Sequence, residues 1–198
     1  MEGSGNNAKI INCINTGDIN SSNVAGGIFG QAYAPSNGQT QNVYIYNSCN
    51  KGTIKASNLA GGIVGSLNGD NSGYTNGCIY NCYNIGKVNT VNCIYQGGIY
   101  GQFRSMIEAK LEIKNSFILK ELNIKVGKSG WSCLVNGENI GDDYSNATML
   151  EKSYMESSEF VDKLNSYIES NEDNIDTIGW AKWIKEDDGY PTLDFDNR

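Results

Sequence analysis

The hydrophobic positions in the first two-thirds of the chain fall into short runs of β-branched and aromatic residues, and Gly, Asn or Ser closes each run. Runs of roughly four to eight such residues are typical of β-strands joined by tight corners. The same region has no segment with the 3.6-residue hydrophobic spacing of a helix, which excludes helix-pair repeats such as the tetratricopeptide type. We therefore expect a β-rich structure over this region.

One unit of this pattern occurs three times along the chain. Each copy contains an apolar run, an Asn-x-Gly element and a Gly-Gly-Ile-x-Gly element, and Asn-x-Gly begins at Asn15, Asn50 and Asn84. Corresponding residues recur every 34 to 36 positions, and a period in this range is typical of a solenoid, a propeller or an array. The glycines of the second element are Gly26, Gly27, Gly30, Gly61, Gly62, Gly65, Gly97, Gly98 and Gly101.

The repeat predicts an all-β fold, a parallel β-helix or β-solenoid of about three to four coils. Each strand would pair with the same strand of the next coil, about 4.8 Å away. A propeller would need more copies to close a ring. Equivalent residues of successive coils should then stack as one aliphatic ladder and two amide ladders. These ladders are Ile10, Ile45 and Ile79; Asn12, Asn47 and Asn81; and Asn15, Asn50 and Asn84.

The corners and the segments between coils carry two further expectations. Glycine holds the same corner in each copy, at Gly17, Gly52 and Gly86, and we expect these three residues to adopt positive φ angles. The segments 31–43 and 66–77 are long, polar and rich in Gly and Asn. They predict loops that project from one side of the solenoid, where ligand binding is expected.

The chain divides into three parts: a tag-like or disordered start at 1–8, the solenoid repeats at 9–145 and a C-terminal capping segment at 146–198. A degraded fourth copy begins at 111–117, as expected for a terminal repeat. Beyond it, Ser157 or Ser158 predicts the N-cap of an amphipathic helix, and a final strand is predicted at 190–193. We expect this segment to cover the open end of the solenoid, since an exposed coil invites edge-to-edge association.

Charge is divided unevenly over the 198 residues, whose net charge is −7. Through Arg104 the net charge is +2, and the remainder carries −9. Nucleic-acid binding requires a basic stripe that neutralises phosphates, and none is visible. The chain contains no run of about 18 apolar residues, so the sequence predicts no membrane-spanning segment. The first residues of the sequence also lack the basic flank and apolar stretch of a signal peptide.

The absence of histidine limits the possible chemistry most strongly. A His-Glu-x-x-His zinc site, a Ser-His-Asp triad and a Cys-His pair all require imidazole, so the sequence predicts no such catalytic residue, no metal site and no cofactor. Six cysteines remain. Cys13 and Cys82 occupy one ladder position two coils apart, about 9–10 Å, which exceeds disulfide reach. We interpret the cysteines as free, buried, small apolar residues.

With these elements in place, the chain resembles the GLUG-motif repeat family of bacterial surface proteins. The matching residues are Asn81-Cys82-Tyr83-Asn84 with Gly86, and Gly61-Gly62-Ile63-Val64-Gly65, where Ile stands in place of the name-giving Leu. The ending typical of such arrays is matched by 160–165, a Trp and Gly189-Tyr190-Pro191-Thr192-Leu193. The resemblance covers roughly residues 9 to 193.

The resemblance implies a location more than a reaction. Such repeats are stalk and adhesion modules outside bacterial cells, and they also occur beside the catalytic part of IgA-specific metallopeptidases; no catalytic residue carries over. The resemblance therefore implies an extracellular or cell-surface segment at the C-terminal end of an array, with an upstream part in a longer chain. A host protein or a surface glycan is the partner implied.

The alternative is a β-helix that binds or cleaves glycans, because many β-helices act on polysaccharides through paired carboxylates. Within the array the carboxylates are Asp18, Asp70 and Glu108, and no two share a ladder. Tyr46 and Tyr80 share one position, and strand alternation places them on the side opposite Ile10 unless a bulge reverses it. Facing outward they could stack on sugar rings, although ordinary packing is favoured. The loop around Asp70 has oxygen ligands for calcium, although a plain turn is favoured. Tyr46, Tyr80 and Asp70 are thus the candidate ligand-binding residues.

Overall fold

The computed structural model of the chain is a parallel β-solenoid of about three turns with a C-terminal helix-plus-strand segment. It describes residues 6–34, 38–70, 72–92, 95–135, 148–171, 177–187 and 189–196. All pairings between coils are parallel. The predicted fold class is therefore confirmed.

Each complete coil contains five strands. Coil 1 consists of β1 (Asn6–Ile11), β2 (Ile14–Asn15), β3 (Ile19–Ser21), β4 (Val24–Gly26) and β5 (Phe29–Ala34). Coil 2 consists of β6 (Thr40–Tyr46), β7 (Cys49–Asn50), β8 (Ile54–Ala56), β9 (Leu59–Gly61) and β10 (Val64–Gly69). Coil 3 consists of β11 (Tyr74–Tyr80), β12 (Tyr83–Asn84), β13 (Val88–Thr90), β14 (Tyr95–Gly97) and the first part of β15 (Tyr100–Lys114).

A fourth, incomplete coil follows without a break, because β15 runs on from coil 3. Its further elements are β16 (Phe117–Leu119), a 3-10 turn (Lys120–Leu122) and the first part of β17 (Lys128–Val135), which pairs with the coil-3 part of β15. The last residues of β17 pair with residues 109–111 of β15, and β18 (Thr148–Leu150) pairs with β16, so these two segments form the start of a fifth layer. The degraded fourth copy predicted from the sequence thus stacks on coil 3.

The register between coils follows the predicted period. Ile10 pairs with Ile45, and Ile45 pairs with Ile79. Partners in the amide ladders are 35 residues apart between coils 1 and 2 and 34 residues apart between coils 2 and 3. The side chains of Ile45 and Ile79 are fully enclosed in the interior. The three predicted ladders are confirmed.

The left-handed corners are occupied by asparagine, not by glycine. Asn12, Asn47, Asn81 and Asn115 have φ angles of 57°, 48°, 55° and 44°, a region that asparagine tolerates better than most residues. The prediction that the Asn-x-Gly glycines have positive φ was wrong, since the positive-φ glycines among the described residues are found elsewhere. In coils 2 and 3 the Asn-x-Gly glycine is needed for space: a Cβ at Gly52 would overlap the Gly17 carbonyl, and a Cβ at Gly86 would overlap the Gly52 carbonyl.

The segments predicted as projecting loops are mostly strands. The described residues of 31–43 and 66–77 contribute to β5, β6, β10 and β11, which pair with equivalent strands of neighbouring coils, while 35–37 and 71 lie outside the described residues. In β11 buried residues alternate with half-buried ones, so one face of the strand is enclosed and the other is partly exposed. The prediction of two long binding loops was therefore wrong.

The C-terminal segment contains α1 (Lys152–Met155), α2 (Ser158–Glu169) and the antiparallel pair β19 (Trp183–Lys185) and β20 (Pro191–Leu193). Ser157 is the N-cap of α2, and its Oγ accepts a hydrogen bond from Phe160 N at 3.3 Å. Within the part of the chain that the structure describes, no helix is both long and apolar enough to cross a bilayer.

The position of this segment differs from the expectation. It hydrogen-bonds to Asn12 of coil 1, Asn47 of coil 2 and Asn81 of coil 3, and Phe160 packs against Phe117 of coil 4. It therefore lies along the side of the stack, and the expectation that it covers the open end was wrong. The physical reason is a row of aromatic side chains on the outer face, which needs an apolar partner.

Candidate functional site

The Asn-x-Gly asparagines form an inner ladder between the coils. Asn15 Nδ2 donates to Asn50 Oδ1 at 2.7 Å, and Asn50 Nδ2 donates to Asn84 Oδ1 at 2.7 Å. Each amide also donates to the carbonyl of the glycine two residues later in its own coil. Asn50 and Asn84 are fully buried, so these bonds satisfy groups that would otherwise be costly to enclose. This ladder is structural.

A second ladder runs along the outer corner. Asn47 Nδ2 donates to Asn12 Oδ1 at 2.7 Å, Asn81 Nδ2 donates to Asn47 Oδ1 at 2.8 Å, and Asn115 Nδ2 donates to Asn81 Oδ1 at 2.6 Å. We call these four residues the corner ladder. Because each amide carries two N–H groups and the oxygen has two lone pairs, every rung retains capacity for a further partner.

The C-terminal segment uses this remaining capacity. Asn12 Nδ2 donates to Gly179 O at 2.7 Å, and Asn47 Nδ2 donates to Ala181 O at 2.8 Å. In the reverse direction, Trp183 Nε1 donates to Asn47 Oδ1 at 2.6 Å. The corner ladder is thus an internal docking site that holds the segment against three coils. The sequence contained the repeated asparagines but no signal for this second role.

Tyr46 is covered by the docked segment. Its side chain points away from the solenoid interior, as predicted, but the residue is only 1% exposed. The ring centroid lies 5.3 Å from that of Trp180 and 5.2 Å from that of Tyr80. Tyr46 therefore cannot stack on a sugar in this structure, and its assignment as a ligand-binding residue was wrong. The sequence pattern gave the direction of the side chain but not what covers it.

Tyr80 is half-buried, and both faces of its ring are engaged. Tyr46 stacks on one side at an interplanar angle of 19°, and the Lys114 ammonium from the next coil lies 5.1 Å from the ring centroid. Its hydroxyl donates to the Glu112 carboxylate. Burial and this bond raise the pKa of Tyr80, and the same bond holds the pKa of Glu112 below its usual value. No ring face is left for a sugar.

Asp70 lies after β10 and accepts a hydrogen bond from the Tyr33 hydroxyl of coil 1 at 3.0 Å. Tyr33 is 49% exposed, and the bond to Asp70 raises the pKa of its hydroxyl. No three His, Cys, Asp or Glu side chains among the described residues are arranged to hold a metal ion. Of the three predicted ligand-binding residues, Asp70 alone lies beside an exposed aromatic ring. Tyr33 lies in segment 31–43, where binding was expected, but it has no equivalent tyrosine in the other copies and was not singled out.

A groove of about 340 Å³ opens at the N-terminal end of coil 1, between β1 and β5. Asn7, Phe29, Ala32 and Asn42 are among its lining residues. Asn42 Nδ2 donates to Asn7 Oδ1 at 2.9 Å, which begins a third amide ladder along the outside of β1, β6 and β11. No local pattern predicts this groove, because residues of β1, β5 and β6 form it together.

None of the cysteines that the structure describes forms a disulfide, as predicted. Cys49 and Cys82 are buried, whereas Cys13 and Cys78 are half-buried. Burial raises the pKa of the Cys82 thiol, so that it stays protonated and unreactive. The side chains of the other two cysteines lie outside the described residues.

Comparison of the chain with protein-family models, with curated proteins and with solved structures finds no match.

Proposed function

We propose that this protein is a non-catalytic segment of an extracellular or cell-surface bacterial protein, and that it acts as a rigid stalk or an adhesion module. The observation that best supports this is the C-terminal segment bound along the stack, which joins successive coils through the corner ladder. A stack fastened along its side resists bending and separation of its coils. That resistance is what a spacer or a display scaffold needs.

The resemblance to GLUG-motif repeats supports the surface location and the position at the C-terminal end of an array. The buried chemistry of the coils is consistent with a structural role. Amide ladders, apolar rows and protonated thiols stabilise the stack. The proposal needs no cofactor.

The pair Tyr33 and Asp70 is the surface feature through which we propose a partner would bind. An exposed tyrosine supplies a large apolar area with a polar tip, which is the chemistry enriched at protein interfaces. The hydrogen bond to Asp70 restricts the ring, so less conformational entropy is lost on binding. The proposed partner is a host surface protein or a surface glycan.

A binding screen against immobilised host surface proteins and a glycan array tests the proposal. We expect a partner that binds the protein and is lost in Tyr33→Ser, with no release of reducing ends from any glycan. Tyr154→Ser is the matched control, because Tyr154 is also an exposed tyrosine but lies on the C-terminal segment. Release of reducing ends would contradict the proposal and favour the glycan-cleaving alternative. Unchanged binding in Tyr33→Ser would show that the partner binds a different surface.

A further inference from the structure

Three residues from successive coils form a row on the outer face of the sheet that contains Tyr33. Tyr33 of β5 pairs with Asn68 of β10, and Asn68 pairs with Arg104 of β15. Neighbouring strands lie about 4.8 Å apart, so the backbones of Tyr33 and Arg104 are separated by about 9–10 Å. The residue before each of the three is buried in the core, which places the row on the opposite, outer face. We call these three residues the outer row.

Each member of the outer row supplies a different kind of contact. The ring of Tyr33 is half exposed and is oriented by its hydrogen bond to Asp70. Arg104 is exposed, and the only other arginine in the chain is Arg198. Between them, Asn68 Oδ1 is enclosed and has no hydrogen-bond partner among the described residues. Because enclosed polar atoms are normally satisfied, the row contains an acceptor that the protein's own described groups leave open.

The outer row offers little of what a protein partner needs. Among the side chains that the structure describes in β5, β10 and β15, the exposed large apolar ones are Tyr33 and Met106, whereas a protein interface relies on a cluster of apolar and aromatic anchors. Strand addition is also unavailable at Asn68 and Arg104, because β10 and β15 already pair with a strand on each side. Recognition at the row therefore depends on one ring and a few polar side chains.

One exposed ring surrounded by planar polar groups suits a saccharide. The apolar face of a sugar stacks on an aromatic ring, and its hydroxyls exchange hydrogen bonds with carboxylates and amides. Asp70 lies beside the ring and accepts from Tyr33 through Oδ2, and a carboxylate has about four lone-pair sites in all. Arg104 adds a positive charge in the fork geometry that matches a carboxylate. The charge of the row is thus complementary to an acidic sugar.

We propose that the outer row binds an acidic saccharide, with one sugar ring stacked on Tyr33 and the carboxylate of a linked sugar on Arg104. The separation of the two residues spans two linked rings and not one, so the ligand is a disaccharide or a longer chain. Asp70 and Asn68 take hydroxyl groups between these two points. The inference rests on the proposed function, and of the two partner classes named there it selects the surface glycan and assigns its charge.

Isothermal titration calorimetry at an ionic strength of about 0.15 M tests the inference with three kinds of acidic saccharide. These are oligogalacturonates, hyaluronan oligosaccharides and sialyllactose, and each is compared with its carboxyl methyl ester. We expect at least one acid form to bind. Its ester should bind roughly tenfold or more weakly, because the ester lacks the charge that pairs with Arg104.

Three variants assign this binding to the outer row. Arg104→Gln should weaken binding of the acid form by roughly tenfold or more and leave binding of the ester unchanged. Tyr33→Leu should weaken binding of both forms by about threefold or more. Lys110→Gln is the matched control, because it removes another exposed positive charge from β15 outside the row, and binding should stay within about twofold. Urea midpoints equal to that of the wild type show that each variant is folded.

Absence of binding to every acid form would overturn the inference. So would an ester that binds as tightly as its acid form, or equal effects of Arg104→Gln and Lys110→Gln. A protein partner that is lost in Tyr33→Ser, with no saccharide bound, would overturn the inference and leave the proposed function intact. Cleavage of a saccharide that binds as expected would do the reverse, since the inference would stand and the non-catalytic function would fail.

Discussion

Asparagine at the outer corner has two functions at one position. The left-handed backbone turns the chain from one strand to the next, and the side chain, directed along the stack, links the coils and the C-terminal segment. Asn47 shows this most fully, because its amide bonds Asn12, Asn81 and Trp183 as well as the Ala181 carbonyl while the residue is completely buried. Glycine could make the turn but not the bonds.

Substitution of Asn47 separates these functions. Asn47→Gly should destabilise the protein by about 2–4 kcal/mol, because several buried groups lose a partner. Asn47→Ala should cost about 1–2 kcal/mol more, since alanine is also strained in the left-handed region. Asn115→Gly is the control: this residue has a similar φ but a single ladder bond, and urea unfolding should show a smaller loss. Equal losses for Asn47→Gly and Asn115→Gly would contradict this account.

The second glycine of Gly-Gly-Ile-x-Gly is fixed by close approach. At Gly62 a Cβ would overlap the Gly98 carbonyl and the Asn84 amide, so Gly62→Val should destabilise the protein by about 3 kcal/mol or more. Gly30→Val provides a comparison in the same repeat element, where a Cβ meets nothing within 4 Å, and should cost less than about 1 kcal/mol. Urea midpoints measure both variants, and a similar shift in the two would refute the steric explanation.

Stability should depend on pH through Glu112. Its pKa in the folded protein is lowered, first by the hydrogen bond from Tyr80, so the ionised form stabilises the fold above the ordinary carboxyl pKa and this contribution is lost as pH falls through the lowered value. Tyr80→Phe removes the bond, so the variant should be less stable than the wild type at pH 7 and closer to it at pH 3. Urea unfolding at both values tests this, with Tyr154→Phe expected to match the wild type throughout.

At the scale of elements, the sequence pattern predicts helix α2 correctly, but it does not predict the polar strands. Phe160, Leu164 and Ile168 lie on one buried face, as their spacing predicts. By contrast, β5 and β10 contain glycine, glutamine and asparagine, which have low strand propensity, and they are strands because a parallel neighbour completes their backbone bonds. Helix periodicity is local information, whereas strand formation in these segments depends on the next coil.

The N-cap of α2 gives a prediction at this scale. Ser157 Oγ accepts from Phe160 N, so Ser157→Ala should destabilise the protein by about 1 kcal/mol. Ser158→Ala replaces the first residue of the same helix, which is exposed, and should change stability by less than about 0.5 kcal/mol. The sequence left these two serines as alternatives. A larger loss of stability in Ser158→Ala than in Ser157→Ala would show that Ser158, and not Ser157, is the N-cap.

At the scale of the whole molecule, the C-terminal segment and the solenoid share one interface. Trp183 is buried against Tyr83, whose hydroxyl donates to the Pro191 carbonyl. A second apolar cluster therefore lies outside the solenoid interior and includes residues from coils 1 to 4 and from the segment. Removal of the segment would expose this aromatic surface to water.

This shared interface should make unfolding a single event. In a Trp131→Phe background, which removes the tryptophan of β17, Trp180 and Trp183 fluorescence reports on the segment, and far-ultraviolet circular dichroism reports mainly on the coils. The two urea transitions are then expected to coincide. Asn47→Gly, which breaks bonds between the segment and the coils, should bring the fluorescence transition to lower urea than the dichroism transition. An early fluorescence transition in the Trp131→Phe protein without Asn47→Gly would show instead that the segment detaches by itself.

The repeated sequence by itself determined the parallel solenoid, its period and its three ladders, because identical residues at a fixed spacing can stack in only one register. The tertiary structure decided which outer residues remain accessible. Tyr46 and Tyr80 have the same outward direction that the pattern predicts, but Trp180, Tyr46 and Lys114 cover their rings, and those contacts join residues up to 134 positions apart. Alternation along a strand fixes the face of a side chain, whereas its exposure depends on a distant segment that no local pattern encodes.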